Sequence, residues 1–256
     1  MLVGDAIIEA AVGSLWHGFA VFLRIAALSS LLPAFGEQAV SVRVKLGIAL
    51  AFTFVAAPLV PPTYIVSSFE NLFFLSLTEI VSGLSIGLGL RLFILALQTA
   101  GAIAAQATSL SQVLGGAAVE PTPAMGYILM IGGMTLAVIA GLHVKVVEFI
   151  VICYEILPIG VFAGTSDLSA WGVAQVVNAF ALAFSLAAPF IVLSVLYNFA
   201  LGAINKAMPQ LMVAFVGAPV ITLGGLFLLM LSAPAMLAIW LQAMDRFLAN
   251  PFGYIP

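Results

Sequence analysis

The chain has 256 residues, of which 64% are hydrophobic and 7% are charged, and its formal net charge is −3. Soluble domains have about 45–50% apolar and about 25% charged residues, so the composition excludes a water-soluble monomer. The chain is therefore an integral membrane protein or part of a large hydrophobic assembly. Its seven Lys and Arg residues are too few and too scattered to form a nucleic-acid surface. The length suits a single domain, 1–256, or two tightly packed halves. The lone Cys153 excludes an internal disulfide and is expected to be buried.

The first half of the chain contains four apolar segments long enough to span or nearly span a bilayer. They are Ala10–Leu32, Leu46–Val60, Phe69–Leu90 and Leu92–Leu114, and Arg91 is expected to separate the last two. Small residues recur four apart in this pair, which places them on one helix face and lets a partner helix approach closely. These helix-packing residues are Gly83, Gly87 and Gly89, followed by Ala96, Ala100 and Ala104.

The second half predicts a long helical segment over Met125–Ile156, a polar link over Val161–Trp171, and apolar segments over Ala174–Ala200 and Leu211–Met244. Proline predicts kinks at three positions inside the last two segments: Pro189, Pro219 and Pro234. No alternation of period two is sustained, so strands are not expected. The fold class predicted is all-α, with roughly six to eight helices of spanning length.

A polar interruption divides the longest apolar tract. Lys206 is the only charged residue between Asp167 and Asp245, and it follows Asn205. Pro209 and Gln210 come next, and proline should end or kink the helix near Met208. In hydrocarbon such groups must face protein or water. The interruption is either a short turn at one membrane face or a functional break inside a bundle.

The most turn-prone stretch lies between Leu92–Leu114 and Met125–Ile156. It contains two glycines and, just after it, two prolines, yet Glu120 is its only charge, which is more typical of a loop inserted into protein than of one facing solvent. Its residues are Val113, Leu114, Gly115, Gly116, Ala117, Ala118, Val119 and Glu120. The residues alone favour an ordinary buried turn over a channel plug.

Patterns that indicate catalysis are missing from the sequence. The two His residues lack partners at metal-ligand spacing, no phosphate-binding glycine loop occurs, and no nucleophile elbow is present. We therefore expect no enzyme, no metal and no cofactor. Glu79, Lys145 and Glu148 are open to two interpretations, a proton relay or paired structural groups, and the second is favoured. Lys145 and Glu148 could pair at i,i+3.

Taken in order, the motifs resemble the FliR family of flagellar export-gate subunits and its relatives in virulence type III secretion. The most specific block is Leu201-Gly202…Asn205-Lys206-Ala-Met-Pro209-Gln210-Leu…Phe215-Val-Gly217-Ala-Pro219. Supporting motifs are Arg24…Pro33-Ala-Phe-Gly36, Gly83…Gly87-Leu-Gly89 and Glu120-Pro121. The sequence departs from the family pattern at Lys206, where the family usually has Arg, and at Glu120, where it usually has Asp.

The resemblance implies a fold of long kinked helical hairpins in the bacterial inner membrane and flagellar basal body. One R subunit would join P and Q subunits around a narrow channel for unfolded flagellar proteins, with a B subunit at the channel mouth. It implies that Val113–Glu120 plugs this channel and that a polar motif forms a subunit contact. The motif consists of Asn205, Lys206, Pro209, Gln210, Gly217 and Pro219.

Two alternatives stay open at this point. One is a subunit of a virulence secretion gate. The other belongs to a different class, the small-molecule secondary transporters, which use broken helices such as those suggested by Pro189 and Pro209. A gate subunit should require hydrophobic partners, whereas a transporter should be a self-sufficient unit in detergent.

Overall fold

The described residues form a set of α-helices without a strand. The computed structural model describes residues 2–62, 69–108, 124–208 and 213–253. The helices are α1 (Leu2–Leu31), α2 (Val42–Ala56), α3 (Phe69–Thr108), α4 (Ala124–Ile139), α5 (Leu142–Ile156), α6 (Thr165–Ala207) and α7 (Val213–Ala249), with a short 3₁₀ turn at Ala57–Leu59. The all-α prediction is confirmed for this part of the chain.

Five of these helices are long and apolar enough to cross a membrane: those containing 11–31, 42–59, 71–108, 165–207 and 219–249. Helices α4 and α5 add a sixth if the bent pair counts as one span. The number lies at or just below the lower end of the six to eight predicted, because two predicted segments merge into α3. The chain is thus an all-α protein of the integral membrane type.

Helix α3 runs without a break for 40 residues, from Phe69 to Thr108. The predicted interruption at Arg91 is therefore wrong. Arginine is a good helix former, so its charge alone does not end a helix. Its long side chain instead reaches away from α3, and its guanidinium pairs with the carboxylate of Glu37 in the connection between α1 and α2.

The expected single segment Met125–Ile156 is broken. Helices α4 and α5 meet at an angle of 76°. Gly141 lies at the bend with a φ of +82°, in the left-handed region that a residue with a side chain adopts at a cost. A helix cannot continue through this conformation, so the bend follows directly from the glycine.

The prolines of the two longest C-terminal helices do not end them. Pro189 lies inside α6, and Pro219 and Pro234 lie inside α7. The predicted polar link is also shorter than expected, because α6 already begins at Thr165. Helix α6 ends at Ala207, which confirms the prediction that the helix stops near Met208.

The chain divides into two compact units. Unit 1 consists of Met1–Leu92, Ala137–Gln175 and Met244–Pro256, and unit 2 consists of Phe93–Leu136 and Val176–Ala243. The sequence of unit 2 carries only two charged residues, Glu120 and Lys206, so nearly all the charge of the protein belongs to unit 1. Unit 1 therefore has many charged side chains that must be paired or solvated, whereas unit 2 has almost none.

In unit 1, α3 packs closely on α1 through two glycines. A Cβ atom at Gly83 would overlap the backbone oxygen of Arg24 and lie 2.9 Å from the Cβ of Ala27. A Cβ atom at Gly87 would lie 3.0 Å from the backbone oxygen of Leu28. The predicted packing face of α3 thus lies directly against the backbone of α1.

In unit 2, α3 packs along α7 and α4. The indole nitrogen of Trp240 donates a hydrogen bond of 2.8 Å to the backbone oxygen of Phe93. Further along α3, Ala96, Ala100 and Ala104 are all buried. These small side chains leave room for the neighbouring helices, so unit 2 is held together mainly by close packing of apolar surfaces.

We predict opposite effects for two Gly→Ala substitutions in helices. Gly83→Ala should lower the free energy of unfolding by about 1–3 kcal/mol, because its Cβ meets the backbone of α1. Gly47→Ala, in α2, should raise it by up to about 1 kcal/mol, because its Cβ meets nothing within 4 Å and alanine favours the helix. Thermal unfolding in detergent measures both. A melting temperature for Gly83→Ala at or above that of the unsubstituted protein would contradict the close approach.

Candidate functional site

A fully buried ion pair joins α1 to α3. Arg24 Nε donates to Glu79 Oε2 over 2.8 Å, and Arg24 Nη2 donates to Glu79 Oε1 over 3.0 Å. The side chains are 2% and 0% exposed. The geometry is bidentate, which is the strongest arrangement of a guanidinium and a carboxylate.

Residues from α5 and the segment after it complete this cluster. Tyr154 Oη donates to Glu79 Oε2 over 3.1 Å, and the backbone N–H of Gly160 donates to Glu79 Oε1 over 2.9 Å. Arg24 Nη1 donates to the backbone oxygen of Leu157 over 2.7 Å, and its guanidinium lies 3.8 Å from the centre of the Tyr154 ring. Each oxygen of the carboxylate therefore accepts two hydrogen bonds.

The local backbone explains how the connection between α5 and α6 reaches this cluster. Pro158 follows the end of α5, and Gly160 has a φ of +74°, which turns the chain and directs its N–H to Glu79. The ion pair consequently fixes three separate parts of unit 1: α1, α3 and the connection between α5 and α6.

The cluster has the form of a structural salt bridge. Glu79 is paired and faces protein, as the favoured interpretation predicts. The three residues considered for a proton relay lie in different environments: Lys145 Nζ donates to both oxygens of Asp245, at 2.8 and 2.9 Å, and Glu148 is exposed. The suggested pairing of Lys145 with Glu148 is replaced by this bond to α7.

Sequence reasoning did not identify Arg24 as the partner of Glu79. A signal was available, because opposite charges in two separate apolar segments are expected to pair with one another. The tyrosine and the backbone N–H of Gly160 could not be found in this way, since nothing in the sequence marks which neighbours meet a carboxylate 75 and 81 residues away.

Breaking the buried pair from one side should be costly. We predict that Arg24→Met lowers the free energy of unfolding by about 3–5 kcal/mol, because the carboxylate of Glu79 stays buried without its cation. Replacing both residues, Arg24→Met with Glu79→Met, should recover part of this loss. Thermal unfolding in detergent measures the difference.

The control is Lys145→Met, which breaks an ion pair whose side chains are 33% and 39% exposed. Its effect should stay below about 1 kcal/mol. Equal effects of the two single substitutions would show that burial does not decide the strength of these pairs.

The predicted subunit-contact residues lie at the end of α6 and in the first part of α7. Asn205 and Lys206 belong to the last turn of α6 and are exposed, and every residue from Gly202 to Met208 is exposed. Pro209 and Gln210 lie outside the described residues. The described part of the chain therefore leaves the last residues of α6, from Gly202 onward, largely uncovered.

Gly217 and Pro219 are placed differently from each other. A Cβ atom at Gly217 would overlap the hydroxyl of Tyr197 and lie 3.3 Å from a methyl group of Leu201, so this glycine is a contact between α6 and α7. Pro219 is exposed within α7. The hydroxyl oxygen of Tyr197 is buried and has no hydrogen-bond partner among the described residues.

Gly89 and the loop Val113–Glu120 are the remaining predicted site residues, and only Gly89 lies in the described part of the chain. Gly89 packs against two aromatic rings of unit 1. A Cβ atom added at Gly89 would lie 2.9 Å from Phe247 and 3.0 Å from Trp171. The loop Val113–Glu120 lies outside the described residues, which stop at Thr108 and resume at Ala124. Its role stays a prediction.

Comparison with known proteins gives one consistent family. Residues 15–247 match the family described as bacterial export proteins, family 1. The chain is 35% identical over 224 residues to the flagellar biosynthetic protein FliR of Caulobacter vibrioides, covering 86% of this chain and 89% of that protein.

More distant relatives bear the same name. FliR of Escherichia coli is 30% identical over 217 residues, covering 81% of this chain and 80% of that protein. FliR of Aquifex aeolicus is 26% identical over 220 residues, covering 83% of each. The chain belongs to the bacterial export proteins, family 1, the family that its resemblance to FliR had indicated.

Proposed function

We propose that the chain is a non-enzymatic core subunit of a flagellar protein export gate. Family membership makes it an integral membrane component of a flagellar export apparatus. The finer proposal is that it joins P and Q subunits, one R subunit per gate, around the channel through which unfolded flagellar proteins leave, with a B subunit at the channel mouth. The inner membrane and the basal body are its proposed location.

The observation that carries the assembly part of this proposal is the exposed end of α6. Two polar side chains, Asn205 and Lys206, stand there on a helix that its own chain leaves uncovered from Gly202 to Met208. An uncovered amide and cation are costly in hydrocarbon, so they require a polar partner or the headgroup region. A neighbouring subunit that supplies acceptors would meet this requirement.

The apolar surface supports the same proposal. In each of α6 and α7, only 22% of the 18-residue stretch that is apolar enough to cross a membrane is buried within the chain. Large side chains point outward along both helices, among them Phe180, Phe184, Phe199, Leu223 and Phe227. Such a surface is suited to lipid tails or to other hydrophobic subunits and not to water.

The proposed channel plug is Val113–Glu120. Its support is the sequence, which combines paired glycines with small apolar side chains, and the family to which the chain belongs. Glycines allow tight folding, and small apolar groups can close a pore without binding the cargo.

The secondary-transporter alternative loses part of its basis. It relied on broken helices at Pro189 and Pro209. Helix α6 continues through Pro189, whereas it does end at Ala207, just before Pro209. Four charged groups of the described spans are held in ion pairs within unit 1, at Arg24–Glu79 and Lys145–Asp245. No observation on the described residues favours a solute site.

Deleting Gly115–Ala118 tests the plug. We expect the complete gate with this deletion to conduct small ions across the membrane, because four of the residues proposed to fill the channel are removed. Ion flux into proteoliposomes that contain the assembled gate measures the effect. The undeleted gate is the control, and an unchanged conductance on deletion would remove the plug proposal.

Reversing the charge at the end of α6 tests the subunit contact. Lys206→Glu should prevent assembly, because the partner's acceptors would face a carboxylate. Lys206→Arg should be tolerated, since it keeps the cation. Co-purification with a tagged P subunit gives the readout, and normal recovery of the Lys206→Glu chain in the complex would contradict this contact.

A further inference from the structure

One face of α2 is left uncovered by the described part of the chain from Arg43 to Phe54. Arg43, Gly47, Leu50 and Phe54 follow one another at intervals of four, three and four residues, so they share a helix face. All four are exposed, and Phe54 is 80% exposed. A Cβ atom added at Gly47 would meet nothing within 4 Å. This face therefore offers an open, mostly apolar surface that begins at a cation.

The other side of α2 packs against protein. Ala49, Thr53 and Ala56 are buried, and α2 contacts α1 and α5 within unit 1. Residues 42–59 are long and apolar enough to cross a membrane, but only 17% of this stretch is buried. The contrast between the two sides of α2 shows that the uncovered face is directed away from unit 1, where a membrane lipid can reach it.

Cations collect where the uncovered face begins. Lys45 Nζ donates to the backbone oxygen of Gly36 over 2.8 Å, and Arg91 pairs with Glu37, the next residue along the chain. Arg43 lies two residues before Lys45. The connection between α1 and α2 thus gathers three cations and one carboxylate. Two of the positive charges, those of Arg43 and Lys45, are left over when Arg91 is paired with Glu37.

The dimensions of the face match one leaflet of a bilayer. Phe54 lies eleven positions after Arg43, which corresponds to roughly 16 Å of α-helix. Half of a hydrocarbon core of about 30 Å is about 15 Å. Arg43 is the second residue of the apolar span that starts at Val42, so its long side chain can reach the headgroup level.

We propose that this face of α2 binds an anionic phospholipid, with the lipid phosphate at Arg43 and an acyl chain along Gly47, Leu50 and Phe54. The apolar part would accept any lipid tail, so the preference for an anionic headgroup comes from the two positive charges left over at the connection. A hydrophobic subunit would have to supply its own partner for Arg43, whereas the phosphate of a lipid is that partner. The inference depends on the integral membrane type of the chain and on neither the channel plug nor the contact at Lys206.

Fluorescence quenching by brominated lipids tests the proposal on the full chain. Phe54→Trp places an indole at the far end of the proposed acyl-chain site. The variant is reconstituted with phosphatidylglycerol, which is anionic, or phosphatidylcholine, which is zwitterionic, each brominated on its acyl chains. The signal of the chain without this substitution, which has three tryptophans, is subtracted. Phosphatidylglycerol should quench the indole at position 54 at a several-fold lower mole fraction than phosphatidylcholine.

Substitutions of two exposed arginines separate the site from net charge. Arg43→Gln should make the two lipids quench equally, and Arg43→Lys should retain part of the preference because it keeps the cation. Arg246→Gln is the matched control, since it removes the same charge from an exposed position of unit 1 outside α2. It should leave the preference unchanged. High salt should weaken the preference, because the attraction is electrostatic and exposed to solvent.

Three results would overturn the proposal. The first is equal quenching by the two lipids while Arg43 is present. The second is an equal loss of preference in Arg246→Gln and Arg43→Gln, which would show that net charge alone attracts the lipid. The third is protection of position 54 from both lipids, which would show that protein covers this face. Since Arg43 and Phe54 are exposed, their variants should keep the melting temperature, which verifies that folding is unchanged.

Discussion

A charge that leaves water must be paired, and this constraint shapes unit 1. Its three ion pairs in the described part of the chain each join segments far apart in sequence: Arg24 with Glu79, Arg91 with Glu37, and Lys145 with Asp245. Only the first is fully buried, so only there is the carboxylate enclosed by donors on every side. The bidentate pair, the tyrosine hydroxyl and the backbone N–H of Gly160 together offset the desolvation of the two charges. The other two pairs keep partial contact with solvent and contribute less to stability.

Unit 2 contains almost no charged residues, so it has almost no charge that must be paired. Its described helices are held by small residues and backbone contacts: the three buried alanines of α3, the crossing of Gly101 with Gly126, and the bond from Trp240 to Phe93. Among the described residues of unit 2, Lys206 is the one that carries a charge. A single cation on an uncovered helix end is difficult to explain within one isolated chain. It is readily explained if another subunit covers that end, and for this reason the assembly proposal depends on this residue more than on the broad apolar surface.

The sequence predicts those features of the helices that depend on local residues. It predicts less well the features that depend on contacts with distant parts of the chain. The apolar segments, the stop near Met208 and the burial of Cys153 follow from local residues, and the structure agrees. The charge of Arg91 predicts an interruption, yet α3 continues through it because arginine is a good helix former, and Glu37 from another part of the chain pairs with its charge. The bend at Gly141 was missed, since a glycine inside an apolar run is compatible with a helix until packing selects the left-handed conformation. In unit 2, an added Cβ atom at Gly225 of α7 would overlap the Cγ2 methyl group of Thr108 in α3. This contact cannot be predicted from the sequence, because it depends on a register between two helices that no local pattern records.

The register between α3 and α7 also shows at which end of unit 2 the exposed end of α6 lies. Helix α3 runs from Phe93, beside Trp240, to Thr108, beside Gly225, so it points toward the beginning of α7. Helix α7 begins at Val213, twelve residues before Gly225, which corresponds to roughly 18 Å of helix. The last described residue of α3, Thr108, therefore lies toward the end of unit 2 where α6 ends and α7 begins. Lys206, in the last turn of α6, lies at this end of the unit. A subunit bound at Lys206 would then cover the end of unit 2 toward which α3 points, where the chain leaves polar groups without a described neighbour.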